Sequence, residues 1–346
     1  MSADQQSASC DGRSRSVLLA RPRGFCAGVE RAVDIVDFAL RLYGPPVYVR
    51  HEIVHNQYVV RDFEARGVVF VDDIGEVPDN SLVIFSAHGI PPSVRGEADA
   101  RGLMTIDATC PLVTKVHHEA LRYVDEGYHI LLVGHAGHVE VEGTMGHVPG
   151  HVTLVQAVEE AEVVEVPDPQ RVAFLTQTTL SIDDVAGILA VLRRRFPDIV
   201  GPAKDDICYA TQNRQVAVKA MSSAVDAIFV VGAPNSSNSN RLVEVARAAG
   251  VPAYLVQSRT EIRTEWLDGV DAVGVTAGAS APEALVRDIV DALRGEDGSL
   301  EEMDAAPEMV QFPLPVELVE DLRQSGRDPE ELIRNFRQRW YTASGG

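Results

Sequence analysis

Between Cys110 and Glu140 the chain reads CPLVTKVHHEALRYVDEGYHILLVGHAGHVE, and the order of signals in this stretch decides the fold. Cys110 precedes Pro111, a residue suited to a first helical turn because its missing N–H has no partner to lose there. Val113, Val116, Ala120 and Val124 then recur at helical spacing as far as Gly127. Ile130 to Val133 reads as a short strand and runs into the polar loop Gly134-His135-Ala136-Gly137-His138-Val139-Glu140. Helix, strand and polar strand-end loop are the repeating parts of an α/β protein with parallel sheets, in which ligands gather beyond the carboxyl ends of the strands.

The same signals recur on either side. Cys26 precedes Val29, Val33, Val36, Leu40 and Tyr43 at helical spacing, and Cys208 precedes a weaker stripe of Ala217, Ala220, Met221 and Ala224. The three cysteines are 84 and 98 residues apart, each interval about the size of a small domain. Each cysteine therefore opens one part of a three-part molecule. Strands are expected at Val17 to Ala20, Val47 to Arg50, Val68 to Val71, Leu82 to Ser86, Ile130 to Val133, Val172 to Leu175, Ala227 to Val231, Ala253 to Val256 and Ala272 to Val275. Their ends carry His51 and His55, Ser86 to Gly89, Gly134 to Glu140, Thr176 to Thr179, Asn235 to Asn240 and Thr276 to Ser280. That is two polar loops per part, and a pseudo-threefold assembly would bring loops and cysteines to one cavity. A thiol at a helix N-terminus meets the positive end of the helix dipole, so a lowered thiol pKa is expected at all three.

Composition narrows the function classes. At 346 residues with 45% apolar content the chain has room for two or three domains. No run of about 18 apolar residues predicts a membrane span. Met1 to Ser16 is polar and lacks the apolar core of a secretory signal, so a cytoplasmic location is expected. Four cysteines without short even spacing do not make a disulfide framework, and Cys10, in the polar tail, is read as a bystander. A net charge of −20 argues against nucleic acid as a partner. An anionic substrate would need a local pocket of helix N-termini, His, Ser and Asn.

Taken by themselves, the dispersed cysteines fit buried thiols, a three-ligand zinc site, or ligands of an iron–sulfur cluster. Structural zinc usually takes four ligands in local pairs, which are absent. Ferredoxins use local cysteine runs, also absent. Three ligands from three domains would leave one iron of a four-iron cluster open. His51-Glu52-Ile53-Val54-His55 matches the zinc-protease pattern, but Val47-Tyr48-Val49 leads into it as a strand and helix signals begin only near Asn56, so the two histidines do not share a helix face. His138 and Glu140, two apart, lie on one face of an extended segment and suit a proton relay, against the alternative of a solvated loop. Asn235 to Asn240 is either a surface turn or a phosphate cradle. Neither a P-loop nor G-x-G-x-x-G occurs, so nucleotide cofactors find no support and electrons would have to come from another protein.

Pro22-Arg23-Gly24-Phe25-Cys26-Ala27-Gly28-Val29, Phe85 to Gly89, Asp107-Ala108-Thr109-Cys110-Pro111, Gly134 to Thr144, Thr176 to Ser181, Asp205 to Thr211 and Asn235 to Arg241 closely resemble the hydroxymethylbutenyl diphosphate reductases, the last enzymes of the methylerythritol phosphate route to isoprenoids. The resemblance runs in unbroken order from about Ser16 to Leu318. It implies three similar small α/β domains in pseudo-threefold arrangement around a central iron–sulfur cluster. The expected divisions are a disordered tail at 1–16, a strand and loop at 17–27 joining the third domain, domains at 28–110, 111–207 and 208–295, and an acidic linker with a C-terminal extension at 296–346. The extension holds a helix or two interrupted near Gly326, with no chemistry expected.

The resemblance further implies one [4Fe-4S] cluster on Cys26, Cys110 and Cys208, with an open apical iron. His55, His88 and His138, with Thr179, Ser236, Ser237, Asn238 and Ser280, would hold the diphosphate of a small allylic substrate. Glu140 and Thr178 would be the catalytic pair. The implied reaction is a two-electron reductive dehydroxylation in which Glu140 supplies a proton through Thr178 and water, the C–O bond breaks, and the allylic anion is protonated at either end. Isopentenyl and dimethylallyl diphosphate would be the products, and a ferredoxin or flavodoxin the electron donor. Two rivals share the cysteines: a cluster-bearing redox sensor, which would need a nucleic-acid or partner-binding module, and a hydro-lyase, which would need no electrons.

Overall fold

The computed structural model describes residues 12–341. Its strands form three parallel sheets. The first has the order β3-β2-β4-β5, from β2 (Val47–Arg50), β3 (Val68–Val71), β4 (Leu82–Phe85) and β5 (Met104–Asp107). The second is β7-β6-β8, from β6 (His129–Val133), β7 (Val152–Val155) and β8 (Val172–Thr176). The third is β10-β9-β11-β1-β12, from β1 (Ser16–Arg21), β9 (Ala227–Val231), β10 (Ala253–Val256), β11 (Ala272–Ala277) and β12 (Leu300–Asp304). Strands β4, β8 and β9 are buried along their whole length, as strands covered by helices on both faces must be.

The three sheets repeat one plan. Each core places an earlier strand in the middle and the next two on either side: β3-β2-β4, β7-β6-β8 and β10-β9-β11. Beyond the third strand comes a fourth that leads to a cysteine. In the first sheet it is β5, in the third it is β1, and in the second a single parallel bridge from Ala173 to Val200 holds the place. The outer strands β3, β7 and β10 each end in Val, at 71, 155 and 256, and a glutamate follows five residues later. The carboxylates of Glu76, Glu160 and Glu261 accept the backbone N–H of Asp72, Gln156 and Gln257 at 3.1, 2.7 and 2.8 Å. Three equivalent turns thus close over three equivalent strand ends.

Helices α1 (Ala27–Tyr43), α4 (Pro111–Asp125) and α8 (Tyr209–Met221) start at Cys26, Cys110 and Cys208, which occupy their N-cap positions. The apolar stripe of α1 is buried from Val29 to Leu40, whereas Tyr43 is exposed. On α8 the stripe is weak because its buried face carries Thr211, Arg214 and Gln215 beside Ala217 and Met221, and Ala220 is exposed. The remaining helices are α2 (Gln57–Ala65), α3 (Pro92–Ala100), α5 (Val139–His147), α6 (Val158–Val163), α7 (Ile182–Arg195), α9 (Ser237–Ala248), α10 (Glu283–Arg294), α11 (Val316–Gln324) and α12 (Pro329–Tyr341).

Two terminal expectations need correction. Residues 1–11, including Cys10, lie outside the described residues. The expected disordered tail, however, does not extend to Ser16. Arg15 is buried, its Nε donates to the Val270 carbonyl at 3.1 Å, and Ser16 opens β1. The acidic segment after Gly295 is not simply a linker either, because Leu300–Asp304 pairs with β1 along its length. Its acidic side chains suit a sheet edge, where charge opposes pairing with other chains. Arg23 draws them in, donating to Glu302 at 3.0 Å and gripping Glu283 at 2.6 and 3.1 Å. Further on, Leu318, Leu322, Phe336 and Trp340 of α11 and α12 are buried against α1 and α2. Gly326, at φ +77°, turns the chain between them.

Candidate active site

The strand ends deliver their loops to one cavity of about 110 Å3. Cys26, Cys110, Cys208, His55, His88, His138, Glu140, Thr178, Thr179, Ser236, Ser237, Asn238 and Ser280 all line it. Apolar wall comes from Val29, Val54, Ala87, Leu112, Val113 and Ala279. His51 is not among the lining residues; its Nδ1 lies 3.3 Å from Asp72. The His51 to His55 segment sits between the end of β2 and Asn56, which caps α2 by accepting the N–H groups of Tyr58 and Val59 at 3.0 and 3.3 Å.

Each cysteine is fixed by the same backbone bond. The N–H of Cys110 donates to Ala87 O at 2.9 Å, that of Cys208 to Thr178 O at 3.0 Å, and that of Cys26 to Ala279 O at 3.2 Å. The acceptors belong to the loops after β4, β8 and β11, the third strand of each core. Helix α1 approaches closely because Gly28 has no side chain: a Cβ there would lie 2.7 Å from Cys110 Sγ and 3.8 Å from Cys26 Sγ. The lowered thiol pKa expected from the helix dipole is overturned. Burial pushes Cys110 up to about 12 and Cys208 up to about 11, and raises Cys26 despite nearby Arg214. Desolvation of three neighbouring thiols outweighs the backbone N–H groups directed at them.

Across the cavity three imidazoles meet. His55 and His88 stack with centroids 4.0 Å apart, and His138 stands edge-on to both at 5.6 and 6.2 Å. Burial and the neighbouring rings hold His88 well below its ordinary value and bring His138 to about 4. His138 and Glu140 do not lie on an extended segment, as their spacing suggested, because α5 begins between them at Val139. His138 is the N-cap, and its Nδ1 accepts the Glu140 N–H at 3.2 Å. With Nδ1 accepting, the neutral ring carries its proton on Nε2.

Glu140 instead pairs with Thr178. Its Oε1 accepts the Thr178 N–H at 2.7 Å, and its Oε2 lies 3.0 Å from Thr178 Oγ1. Burial raises the carboxyl to about 7 against the pull of both bonds. Ser236 caps α9, accepting the N–H of Ser239 at 3.3 Å, so the positive end of that helix opens on the cavity. Ser280 Oγ donates to His55 O at 2.9 Å.

Several residues went unassigned in the sequence, although the quoted motifs contain all of them but Arg214. Gln177 Nε2 donates to Thr179 Oγ1 at 2.8 Å and Ser237 Oγ at 3.3 Å, joining the second sheet to α9. Thr211 contacts both Cys208 and Asn238. Tyr209 OH accepts the Ala27 N–H at 3.1 Å. Arg214 is fully buried and donates to Gly24 O at 2.7 Å and to Glu308 at 3.1 and 3.2 Å, anchoring the chain after β12 behind Cys26.

Comparison with known proteins follows the same residues. The family model described as LytB protein matches residues 17–294. The 4-hydroxy-3-methylbut-2-enyl diphosphate reductase of Azoarcus sp. (strain BH72) is 56% identical over 308 residues, covering 89% of this chain and 99% of its own. That of Acidothermus cellulolyticus is 58% identical over 324 residues, covering 93% and 94%. The solved E-1-hydroxy-2-methyl-but-2-enyl-4-diphosphate reductase of Plasmodium falciparum superimposes with a TM-score of 0.88 at 37% identity, covering 91% of this chain and all of that one. With four-fifths of its length matched by the family model and relatives at this identity aligned nearly end to end, the chain belongs to the LytB family of 4-hydroxy-3-methylbut-2-enyl diphosphate reductases.

Proposed function

We propose that the cavity is the active site of a cytoplasmic reductase. It converts (E)-4-hydroxy-3-methylbut-2-enyl diphosphate to isopentenyl and dimethylallyl diphosphate, the final step of the methylerythritol phosphate pathway. The observation that carries this reading is the convergence of three N-cap cysteines, one from each sheet unit, on a cavity that also holds three imidazoles and the capped start of α9. The chemistry of the donors fits a [4Fe-4S] cluster on Cys26, Cys110 and Cys208, around which the three domains take a pseudo-threefold arrangement. Gly28 leaves the space such a group needs beside Cys110. Among the described residues no three candidate ligands group tightly enough for one ion. A cluster takes each thiolate at a different iron and does not require that. Because the thiols are held protonated by burial, loading the site releases protons.

When bound, the cluster supplies electrons singly and offers a Lewis-acidic iron that no cysteine reaches. The chain's own residues do the rest. His55, His88 and His138, with Thr179, Ser236, Ser237, Asn238 and Ser280, bind the diphosphate by N–H and O–H donors and the α9 terminus. The apolar walls receive the five-carbon chain and exclude water. Glu140, protonated at Oε2, passes its proton to Thr178 Oγ1, whose own proton reaches the departing hydroxide through water. Two electrons and this proton release water and leave an allylic anion, and a second proton at either end gives the two products. Electrons come from a protein donor of the ferredoxin or flavodoxin class.

The test is turnover of the anaerobically purified protein with a dithionite-reduced mediator. Both isoprenoid diphosphates are expected with reductant and neither without it. Conversion without reductant would favour a hydro-lyase, and a loaded chain that turns nothing over but binds operator DNA would favour a sensor.

A further inference from the structure

We propose that Thr211 is a positioning residue whose hydroxyl donates a hydrogen bond to the Cys208 thiolate and, through Asn238, ties that thiolate to the anion-binding end of the cavity. The inference rests on the reading of Cys208 as a cluster ligand.

The direction of each bond follows from donor chemistry. The Ala279 backbone N–H, which can only donate, lies 2.9 Å from Asn238 Oδ1 and so fixes which amide atom is the oxygen. Asn238 Nδ2 then points at Thr211 Oγ1, 3.2 Å away, and an amide NH2 can only donate. Thr211 Oγ1 accepts that bond, and towards Cys208 Sγ, 3.2 Å away, it can only donate once the sulfur is the thiolate of a cluster ligand, which carries no proton. The Thr211 N–H adds a second bond to the same sulfur at 3.4 Å. Thr211 is fully buried and Asn238 nearly so, so the chain is shielded from exchange with bulk water.

The arrangement is asymmetric. At the N-caps of α1 and α4, the side chains of Cys26 and Cys110 make no cap hydrogen bond, whereas that of Cys208 does. Backbone N–H groups of Gly28 and Val29 favour the Cys26 thiolate, and those of Leu112 and Val113 favour the Cys110 thiolate. Cys208 alone of the three is additionally favoured by a hydroxyl. One-electron reduction adds negative charge to the cluster and its sulfurs, so a hydrogen bond to a ligand sulfur stabilises the reduced form and raises the potential. The extra donor at Cys208 would favour the reduced state of a cluster held there. Because Asn238 bonds Thr211 and also belongs to the set assigned to diphosphate, occupancy of that set would be transmitted to the Cys208 sulfur.

The experiment compares wild type, Thr211→Val and Thr211→Ser by redox titration with electron paramagnetic resonance of the reduced cluster, with and without inorganic diphosphate. Iron and sulfide are measured on each sample. Thr211→Val keeps the shape and removes the proton; its potential is expected to fall below wild type while Thr211→Ser stays close to it. Diphosphate is expected to shift the wild-type signal and to leave that of Thr211→Val almost unmoved. Equal potentials in all three fully loaded proteins, or an equal diphosphate response, would overturn the proposal. If Thr211→Val fails to load, Thr211→Ala against Thr211→Ser decides by the same criterion. A wild-type chain that binds no iron and sulfide would overturn the cluster reading as well, which sets that failure apart.

Discussion

Replacing Glu140 by Gln separates proton supply from shape. The carboxyl is 3% exposed and both of its oxygens face Thr178, at 2.7 and 3.0 Å. Glutamine keeps the side-chain length and the Oε1 acceptor for the Thr178 N–H, so α5 and the cavity wall hold. The acidic proton is what disappears. With the carboxyl raised to about 7, about half of Glu140 is protonated at neutral pH, against roughly 0.3% for a carboxyl at its ordinary 4.5. Losing a positioned general acid costs roughly 100-fold or more in turnover, about 2.7 kcal/mol on the barrier. Since the acid form is the donor, wild-type turnover at saturating substrate falls as pH rises through about 7. The residual rate of Glu140→Gln lacks that limb. Anaerobic turnover with a reduced mediator across this range, beside iron content and binding of inorganic diphosphate, makes the comparison. Near-normal turnover in the variant, or an unchanged pH profile, would refute the proton role.

Gly28→Ala would favour helix α1 by roughly 0.5–1 kcal/mol on propensity alone, yet its Cβ would lie 2.7 Å from Cys110 Sγ. We expect a chain that folds normally by circular dichroism but retains less than about half of the wild-type iron, the excluded-volume effect outweighing the propensity gain. Trp340→Ala removes an indole that is 2% exposed among Phe25, Phe63 and Phe336 and whose Nε1 has no hydrogen-bond partner among the described residues. It should cost about 3–5 kcal/mol in urea unfolding while leaving turnover of the folded protein unchanged. His117 is buried, stacked 4.0 Å from His147, and lowered to about 3 by desolvation and by that second ring. Its folded value lies below its unfolded one, so between 6.5 and about 3 the unfolded chain binds more protons and stability falls as pH falls. Acid unfolding of His117→Phe should show a shallower loss across that window; an identical slope would remove His117 as the cause.

The strands missing from the sequence reading share one property. β5, β7 and β12 are all sheet edges, and their side chains are largely half-buried or exposed, so they show no buried apolar run. Leu300–Asp304 is the extreme case, held by its backbone beside β1 and by Arg23 rather than by apolar content. The cysteines were legible because each stands at a helix start, with Pro111 marking one of them. The sign of their pKa shifts was not, since burial is a property of the assembled cavity. The stacked rings of His55 and His88 come from loops after different strands, and the Thr211–Asn238 bond joins α8 to α9. Such contacts depend on how the helices pack, which no local spacing records.

The most direct test is iron and sulfide content of the anaerobically purified full chain, measured for wild type and for Cys26→Ser, Cys110→Ser and Cys208→Ser. About four irons and four sulfides per wild-type chain, with a marked loss in each variant, are expected for a [4Fe-4S] cluster on three thiolates. Zinc without sulfide in the wild type, or an undiminished cluster in all three variants, would contradict the account.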